Sequence, residues 1–275
     1  MKIGLVQLSV GPDPDANLPK TISLIMECAA KGAEIVFTPE VTNLIETDPE
    51  RQAAVLAHEG DDLTLRALRD LAAELGIWIQ IGSLALKTDD ADGRYANRGF
   101  LISPNGSIAA RYDKIHMFDV QLSATEGFTE SARYRPGSAA ILGQGPCKLG
   151  MTICYDLRFP HLYRDLAKAG ADILAVPAAF AETTGKAHWH VLLRARAIET
   201  GCFVVAAAQT GDHSRDAHAL RSTYGHSLVV DPWGEVLLDM GQDEGASVLD
   251  IDLERVTSTR ARVPAIHSDA GYSKP

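Results

Sequence analysis

Four side chains in this sequence have the types needed for nucleophilic attack on a carbonyl through a thiol. Cys154, in Met151-Thr152-Ile153-Cys154-Tyr155-Asp156, ends an apolar strand-like run and is followed by polar residues. Only a thiolate attacks a carbonyl, so such a thiol needs a base. Glu40 follows Ile35-Val36-Phe37-Thr38 and a stiffening Pro39. Burial at that position would raise its carboxyl toward the neutral range in which it could serve as the base. Histidine is the commoner partner, and His116 and His161 offer a cysteine–histidine alternative. Lys114, in Tyr112-Asp113-Lys114-Ile115-His116, would stabilise a thiolate and then the oxyanion formed on the attacked carbonyl. Glu130, in the polar stretch Phe128-Thr129-Glu130-Ser131, is the fourth candidate.

Each residue also has a plain structural reading. A cysteine in an apolar strand is often a small core hydrophobe, and a glutamate or lysine at a strand end is often a solvated charge. Cys28 within a helical stretch, Cys147 in a Gly/Pro-rich turn and Cys202 in an apolar strand are expected to be structural. His213 and His218, with Asp212 and Asp216, fit no standard metal-ligand spacing, so a solvated loop and no metal are expected there. Gly185-Lys186 lacks the preceding glycine and following Ser/Thr of a phosphate loop. His188-Trp189, at an expected helix start, reads as packing or interface.

The elements that must position these groups alternate along the chain. Strands are expected at 3–8, 34–38, 77–86, 97–102 and 107–112, with helices at 16–31 and 62–75. Gly32 and Gly76 stop the helices, and Asn105-Gly106 makes a turn. The second half continues with strands at 149–154, 172–176 and 202–208 and helices at 161–169 and 188–200. Strands at 225–230, 235–238 and 247–251 are expected to form a closing meander, turning through Asp231-Pro232-Trp233-Gly234. Loops are expected at 89–93 and 212–222. Such interleaving implies an α/β layered fold. With no fixed-period repeat or linker-like stretch, a single domain over 1–275 is expected.

The formal net charge of −10 argues against nucleic acid or an anionic membrane as a main partner. No run of 18 apolar residues exists to span a bilayer. The opening Met-Lys-Ile-Gly-Leu-Val-Gln-Leu-Ser-Val reads as a buried strand and not as a signal peptide. Four scattered cysteines are then expected to be thiols in the cytoplasm.

Together the segments resemble the nitrilase superfamily of carbon–nitrogen hydrolases. The match runs in order through Phe37-Thr38-Pro39-Glu40, Tyr112-Asp113-Lys114-Ile115-His116 and Ile153-Cys154-Tyr155-Asp156-Leu157-Arg158-Phe159-Pro160. The resemblance implies a Glu40–Lys114–Cys154 triad, with Glu130 ordering the lysine and the Tyr155 backbone N–H joining the oxyanion site. Pro177-Ala178-Ala179-Phe180, Thr184-Gly185-Lys186-Ala187-His188-Trp189, Phe203–Gln209 and Tyr224-Gly225-His226-Ser227 resemble the Nit branch, which places Phe180 and Thr184 beside the substrate. These runs are more like the deaminated glutathione amidases than the ω-amidases, implying release of 2-oxoglutarate and cysteinylglycine. The alternatives are an ω-amidase, another amidase or N-carbamoyl hydrolase of the superfamily, and a catalytically silent binding protein on the same fold. The resemblance further implies a four-layer α-β-β-α sandwich of two mixed β-sheets, a small-molecule amide substrate, no cofactor, and a homodimer or higher homo-oligomer. Thr38, where the family more often has an apolar residue, His161, where it usually has Glu, and the length of the 212–222 stretch depart from the pattern.

Overall fold

Alternation with a period of two builds the first sheet. In β1 (Lys2–Gln7), Ile3 and Leu5 face one way, while Gly4 and Val6 face the other. The strand β2 (Ile35–Phe37) repeats this, with Ile35 and Phe37 opposite Val36. Between them α1 (Pro14–Ala30) begins at Asp13, whose side chain accepts the Asp15 N–H. Its Cys28 lies against Gly4, where a Cβ would come within 2.8 Å of the Cys28 Cβ. The helices α2 (Pro49–Val55) and α3 (Leu63–Leu75) follow. Asp62 caps α3 by accepting the Leu65 N–H at 2.7 Å, and Gly76 ends it in the left-handed region.

The computed structural model describes residues 1–121, 127–213 and 222–273. Strands β3 (Trp78–Leu86), β4 (Ala96–Ile102) and β5 (Ile108–Asp113) complete the first half, and β6 (Asp119–Gln121) pairs with β7 (Gly127–Thr129) as a ribbon. Next come β8 (Ile141–Gln144), β9 (Lys148–Met151), α4 (Pro160–Lys168) and β10 (Ile173–Ala175). They are followed by α5 (Glu182–Thr200), β11 (Phe203–Ala206) and the pair β12 (Thr210–Asp212) and β13 (Ser222–Tyr224). The chain then runs through β14 (Leu228–Val230), β15 (Val236–Asp239), β16 (Gly245–Asp250) and α6 (Glu254–Arg262).

Among the described residues, one six-stranded mixed sheet has the order β16-β1-β2-β3-β4-β5 and a second has β15-β14-β11-β10-β9-β8. Ile25 and Cys28 of α1 and Leu65, Leu68 and Leu71 of α3 cover the outer face of the first. The helices α4 and α5 cover the second, and between the sheets Ile3, Leu5, Phe37 and Leu101 share a core with Leu149 and Met151. This is the expected α-β-β-α sandwich.

Several local expectations fail. The last strand does not close a meander: β14 and β15 pair with each other, but β16 crosses to the first sheet and lies antiparallel to β1, Ile3 opposite Leu249. Strand composition cannot say which open edge a strand will satisfy. The helix α5 begins at Glu182 and not at His188, because packing overrides weak helix formers. Gly185 is one of them, and a Cβ there would lie 2.3 Å from Tyr224 Cγ. His188 and Trp189 therefore sit inside the helix, with Trp189 fully buried and its indole N–H on His226 O at 2.8 Å. The short helix α2 and the polar helix α6 have no counterpart in the expected elements. Of the 212–222 stretch, the ends pair as β12 and β13, whereas Asp216 and His218 lie outside the described residues.

Candidate active site

The groups singled out in the sequence emerge from both sheets and, for Glu130, from the β6–β7 ribbon. Glu40 follows β2, where the chain turns sharply through Val41 at φ 49°. Thr38 holds this turn: its Oγ1 accepts the Gly82 N–H at 3.1 Å and pairs with Thr42 Oγ1 at 2.8 Å. The departure at Thr38 thus has a hydrogen-bonding role, where an apolar residue could offer packing alone. Gly82 is needed for the approach, since a Cβ there would meet Thr38 O at 2.2 Å and Pro39 O at 2.3 Å. From the second sheet, Gln209 Nε2 donates to Glu40 O at 3.0 Å.

Lys114 follows β5, and its backbone is fixed by Asn97 O at 3.0 Å and by the Gly137 N–H at 2.7 Å. Its Nζ lies 2.9 Å from Glu40 Oε1 and 2.8 Å from Glu130 Oε2. Glu130 does not sit in an irregular loop: it opens a 3-10 turn directly after β7, and its Oε2 accepts the Phe118 N–H at 2.6 Å. The Ala179 N–H donates to Glu40 Oε2 at 2.7 Å. Asn97 Nδ2 reaches Glu40 at 2.9 Å and Glu130 at 3.3 Å, so one amide ties the two carboxylates together. Sequence reasoning missed Asn97, Ala179 and Gln209. An asparagine in a strand and a backbone N–H have no motif, and only the sheet pairing aims them here.

Cys154 does not end the strand as expected. The strand β9 stops at Met151, and Cys154 opens a 3-10 turn, Cys154–Arg158, with φ 48°. A residue with a Cβ in that region costs roughly 1–2 kcal/mol and persists only where its surroundings hold it. Asp156 does much of the holding. Its carboxylate accepts the Ile153 N–H at 2.9 Å, the Tyr112 hydroxyl at 2.6 Å and the His116 N–H at 3.0 Å. The Cys154 N–H itself donates to Pro177 O at 2.9 Å. Hydrogen bonding within the turn starts with the Asp156 N–H on Ile153 O, leaving the Tyr155 N–H outside it as first-turn donors are.

Glu40, Lys114 and Cys154 are 4%, 2% and 7% exposed, so their charges act on one another with little screening. For Lys114, burial works against the charge, but Glu130 and Glu40 outweigh it and hold the ammonium well above its usual range. For Glu40, burial alone would raise the carboxyl, as the sequence suggested. The Lys114 charge, with hydrogen bonds from Cys154, Lys114 and the Ala179 N–H, carries it below the usual value instead. Burial and the Glu40 charge push the Cys154 thiol well up, against the pull of Lys114. The resting site is therefore a carboxylate, an ammonium and a thiol.

His116 donates its Nδ1–H to Asp156 Oδ1 (2.7 Å) and stacks on Phe159 with ring centroids 3.5 Å apart. His161 packs edge-on to both rings. Neither reaches the cavity, so geometry favours Glu40 over a histidine as the partner of Cys154. His213 is engaged by Val10 O and Thr223 Oγ1. The other three cysteines are buried thiols, with burial pushing Cys28 up to about 11 and Cys147 up to about 12.

Glu40, Lys114, Glu130 and Cys154 open into a cavity of about 410 Å³. Tyr155, Phe180 and Thr184 lie in its wall, with Phe118 and Phe128 adding aromatic surface. Arg133 also lines it, half-buried, with Nη1 3.4 Å from the neutral Gln52 Oε1 and no ion pair among the described residues.

Two packed mixed sheets that deliver a buried thiol to a carboxylate and a lysine define an α-β-β-α hydrolase of carbon–nitrogen bonds. The chain belongs to the carbon-nitrogen hydrolase family, whose model it matches over residues 2–261. It is 38% identical over 266 residues to a deaminated glutathione amidase of Synechocystis sp., covering 95% of each chain. The crystal structure of the C. elegans NitFhit protein matches with TM-score 0.88 at 35% identity, covering 98% of this chain and 64% of that one. This chain thus spans a little under two thirds of the worm protein. A nitrilase-superfamily amidase mutant from Nesterenkonia sp., solved with acrylamide added at its active-site cysteine, matches with TM-score 0.76 at 27% identity. That match covers 96% of this chain and 98% of the other.

Because the folded-state value of Glu40 lies below its ordinary 4.5, its ionisation adds stability above about that pH. This stability is lost as pH falls through the lower, folded value. The stability difference between the wild type and Glu40→Gln, from urea midpoints, should therefore shrink steadily on acidification below about pH 4.5. A difference independent of pH would mean that folding leaves the Glu40 carboxyl at its ordinary value.

Proposed function

We propose that this chain is a cysteine-dependent amidase that cleaves deaminated glutathione to 2-oxoglutarate and cysteinylglycine through a thioester on Cys154. The observation carrying the chemistry is the Lys114 ammonium, 2.9 Å from Glu40 and 2.8 Å from Glu130 in the same buried cavity as Cys154. The choice of substrate is supported by similarity to the Synechocystis amidase.

In this reading Glu40 takes the Cys154 proton as the sulfur attacks the amide carbonyl. The cluster's net charge is unchanged by that transfer, so Lys114 faces a new thiolate in place of the carboxylate that was neutralised. Lys114 and the Tyr155 N–H receive the oxyanion; one such donor is worth roughly 10²–10³ in rate. The C–N bond breaks as Glu40 gives its proton to the leaving amine. Water then attacks the thioester, Glu40 taking its proton, and collapse releases the acid and returns the proton to the thiol. Glu130 and Asn97 position the lysine and the base. No step calls for a metal or organic cofactor.

Arg133 supports an anionic substrate, because a guanidinium whose one side-chain partner among the described residues is a neutral amide can take a carboxylate in two-pronged geometry. A second copy of the chain is the partner that the surface supports. Val191 and Ile198, seven residues apart on one face of α5, are 67% and 53% exposed, and Gly234 beside the half-exposed Trp233 abuts Ile198. Four free thiols suit a reducing cytoplasm, and no helix among the described residues is long and apolar enough to cross a membrane. Because the site draws on both sheets, residues 1–275 would act as one domain.

Incubation with deaminated glutathione should release 2-oxoglutarate from the wild type and none above background from Cys154→Ala. If that substrate is untouched while 2-oxoglutaramate loses ammonia, the enzyme is an ω-amidase and the substrate assignment fails. Arg133→Gln should raise KM for deaminated glutathione about 10-fold or more with kcat little changed, the worth of one charge-assisted hydrogen bond. An unchanged KM removes Arg133 from recognition. Light scattering should give twice the chain mass of 29.5 kDa, falling to one chain in Val191→Glu/Ile198→Glu; a monomeric wild type would dismiss the dimer.

A further inference from the structure

Away from the cavity, three separate elements bring two imidazoles to one carboxylate. His190 projects from α5, His226 from the turn before β14, and Asp239 from the end of β15. His190 Nε2 lies 2.9 Å from Asp239 Oδ2, and His226 Nδ1 lies 2.9 Å from Asp239 Oδ1. The three donor atoms all fall within 4.8 Å of one another. The mechanism uses none of these groups, and no sequence spacing singled them out, because their positions are 36 and 13 residues apart.

The backbone fixes the cluster before any ligand arrives. His226 has φ 54°, a conformation that needs restraint in a residue with a Cβ. The restraint comes from its N–H on Gly241 O at 2.6 Å and from the Trp189 indole N–H on His226 O at 2.8 Å. Asp239 Oδ1 also accepts the Gly241 N–H at 2.9 Å, which orients the carboxylate. Tyr224 stacks on the His226 ring with centroids 4.3 Å apart. Two imidazoles and an oriented carboxylate converging from three elements supply donor types that metal sites use.

We propose that His190 Nε2, His226 Nδ1 and an Asp239 carboxylate oxygen form a binding site for a divalent transition-metal ion of the zinc type. Two imidazoles and one carboxylate match that ion class and leave a fourth, solvent-facing position for water. Around a tetrahedral zinc with bonds of roughly 2.0–2.2 Å, donor atoms stand about 3.4 Å apart. The His–Asp contacts need to open by only a few tenths of an ångström, and the two histidine nitrogens to close from at most 4.8 Å. Each imidazole shifts its proton to the other ring nitrogen, freeing the lone pair that now faces Asp239. The ion would staple α5 to β15 through the turn that carries Tyr224, whose N–H donates to Phe180 O in the cavity wall at 2.9 Å.

Turnover is not the readout, because the Cys154 thiol would itself take zinc. The test is calorimetric titration of Zn²⁺ into full-length Cys154→Ala at about pH 7.5, with the melting temperature followed in parallel. One saturable site per chain is expected, raising Tm, and His190→Gln and Asp239→Asn should each weaken it at least 10-fold. Asn at 239 keeps the acceptor for the Gly241 N–H, and His190 is partly exposed, so both variants should fold, as circular dichroism would verify. Should His190→Gln lose its structure, Asp239→Asn alone decides. Absence of saturable zinc binding, or affinity unchanged by the substitutions, overturns the proposal.

Discussion

One ammonium group faces two carboxylates and a thiol in a space almost closed to water, and much of the architecture serves that imbalance. Removing charges from water costs several kcal/mol per ion unless geometry and further hydrogen bonds compensate. Lys114 alone cannot neutralise both Glu40 and Glu130. The remaining lone pairs are met by the Ala179 N–H, the Phe118 N–H and the Asn97 amide. These donors come from three stretches of chain that share no local sequence, so the cluster is a product of the finished sandwich.

That same network decides the resting protonation. Burial by itself pushes Glu40 toward the neutral acid and Lys114 toward the neutral amine. Their mutual field reverses both outcomes and leaves the proton on Cys154. Glu40 and Cys154 thus lie in the field of the same lysine.

The backbone at Cys154 is the second constraint. Cys154 adopts a left-handed conformation at a strand's extension, and Asp156 ties that turn to Tyr112 and His116 beside Lys114. The lysine's loop and the cysteine's turn are thereby positioned by one carboxylate, though they belong to different sheets. His116 and His161, reasonable thiol partners on chemical grounds, stack with Phe159 and serve this scaffold instead.

The sequence by itself determined which residues could do the chemistry and the order of elements carrying them. Alternation in β1 and β2, the Asp62 cap and Gly76 stop of α3, and the apolar run of β11 are local signals, set by side-chain period and backbone preference. The three motifs around Glu40, Lys114 and Cys154 were legible for the same reason. Only the tertiary structure decided what depends on residues distant in the chain. It sent β16 to β1, started α5 six residues early where Gly185 admits Tyr224, and turned Asn97 toward two carboxylates. It also lowered Glu40 where burial alone would have raised it. Pairing energy at a sheet edge, close packing and the sign of a buried charge's neighbours are sums over contacts in space, and no window of sequence contains them.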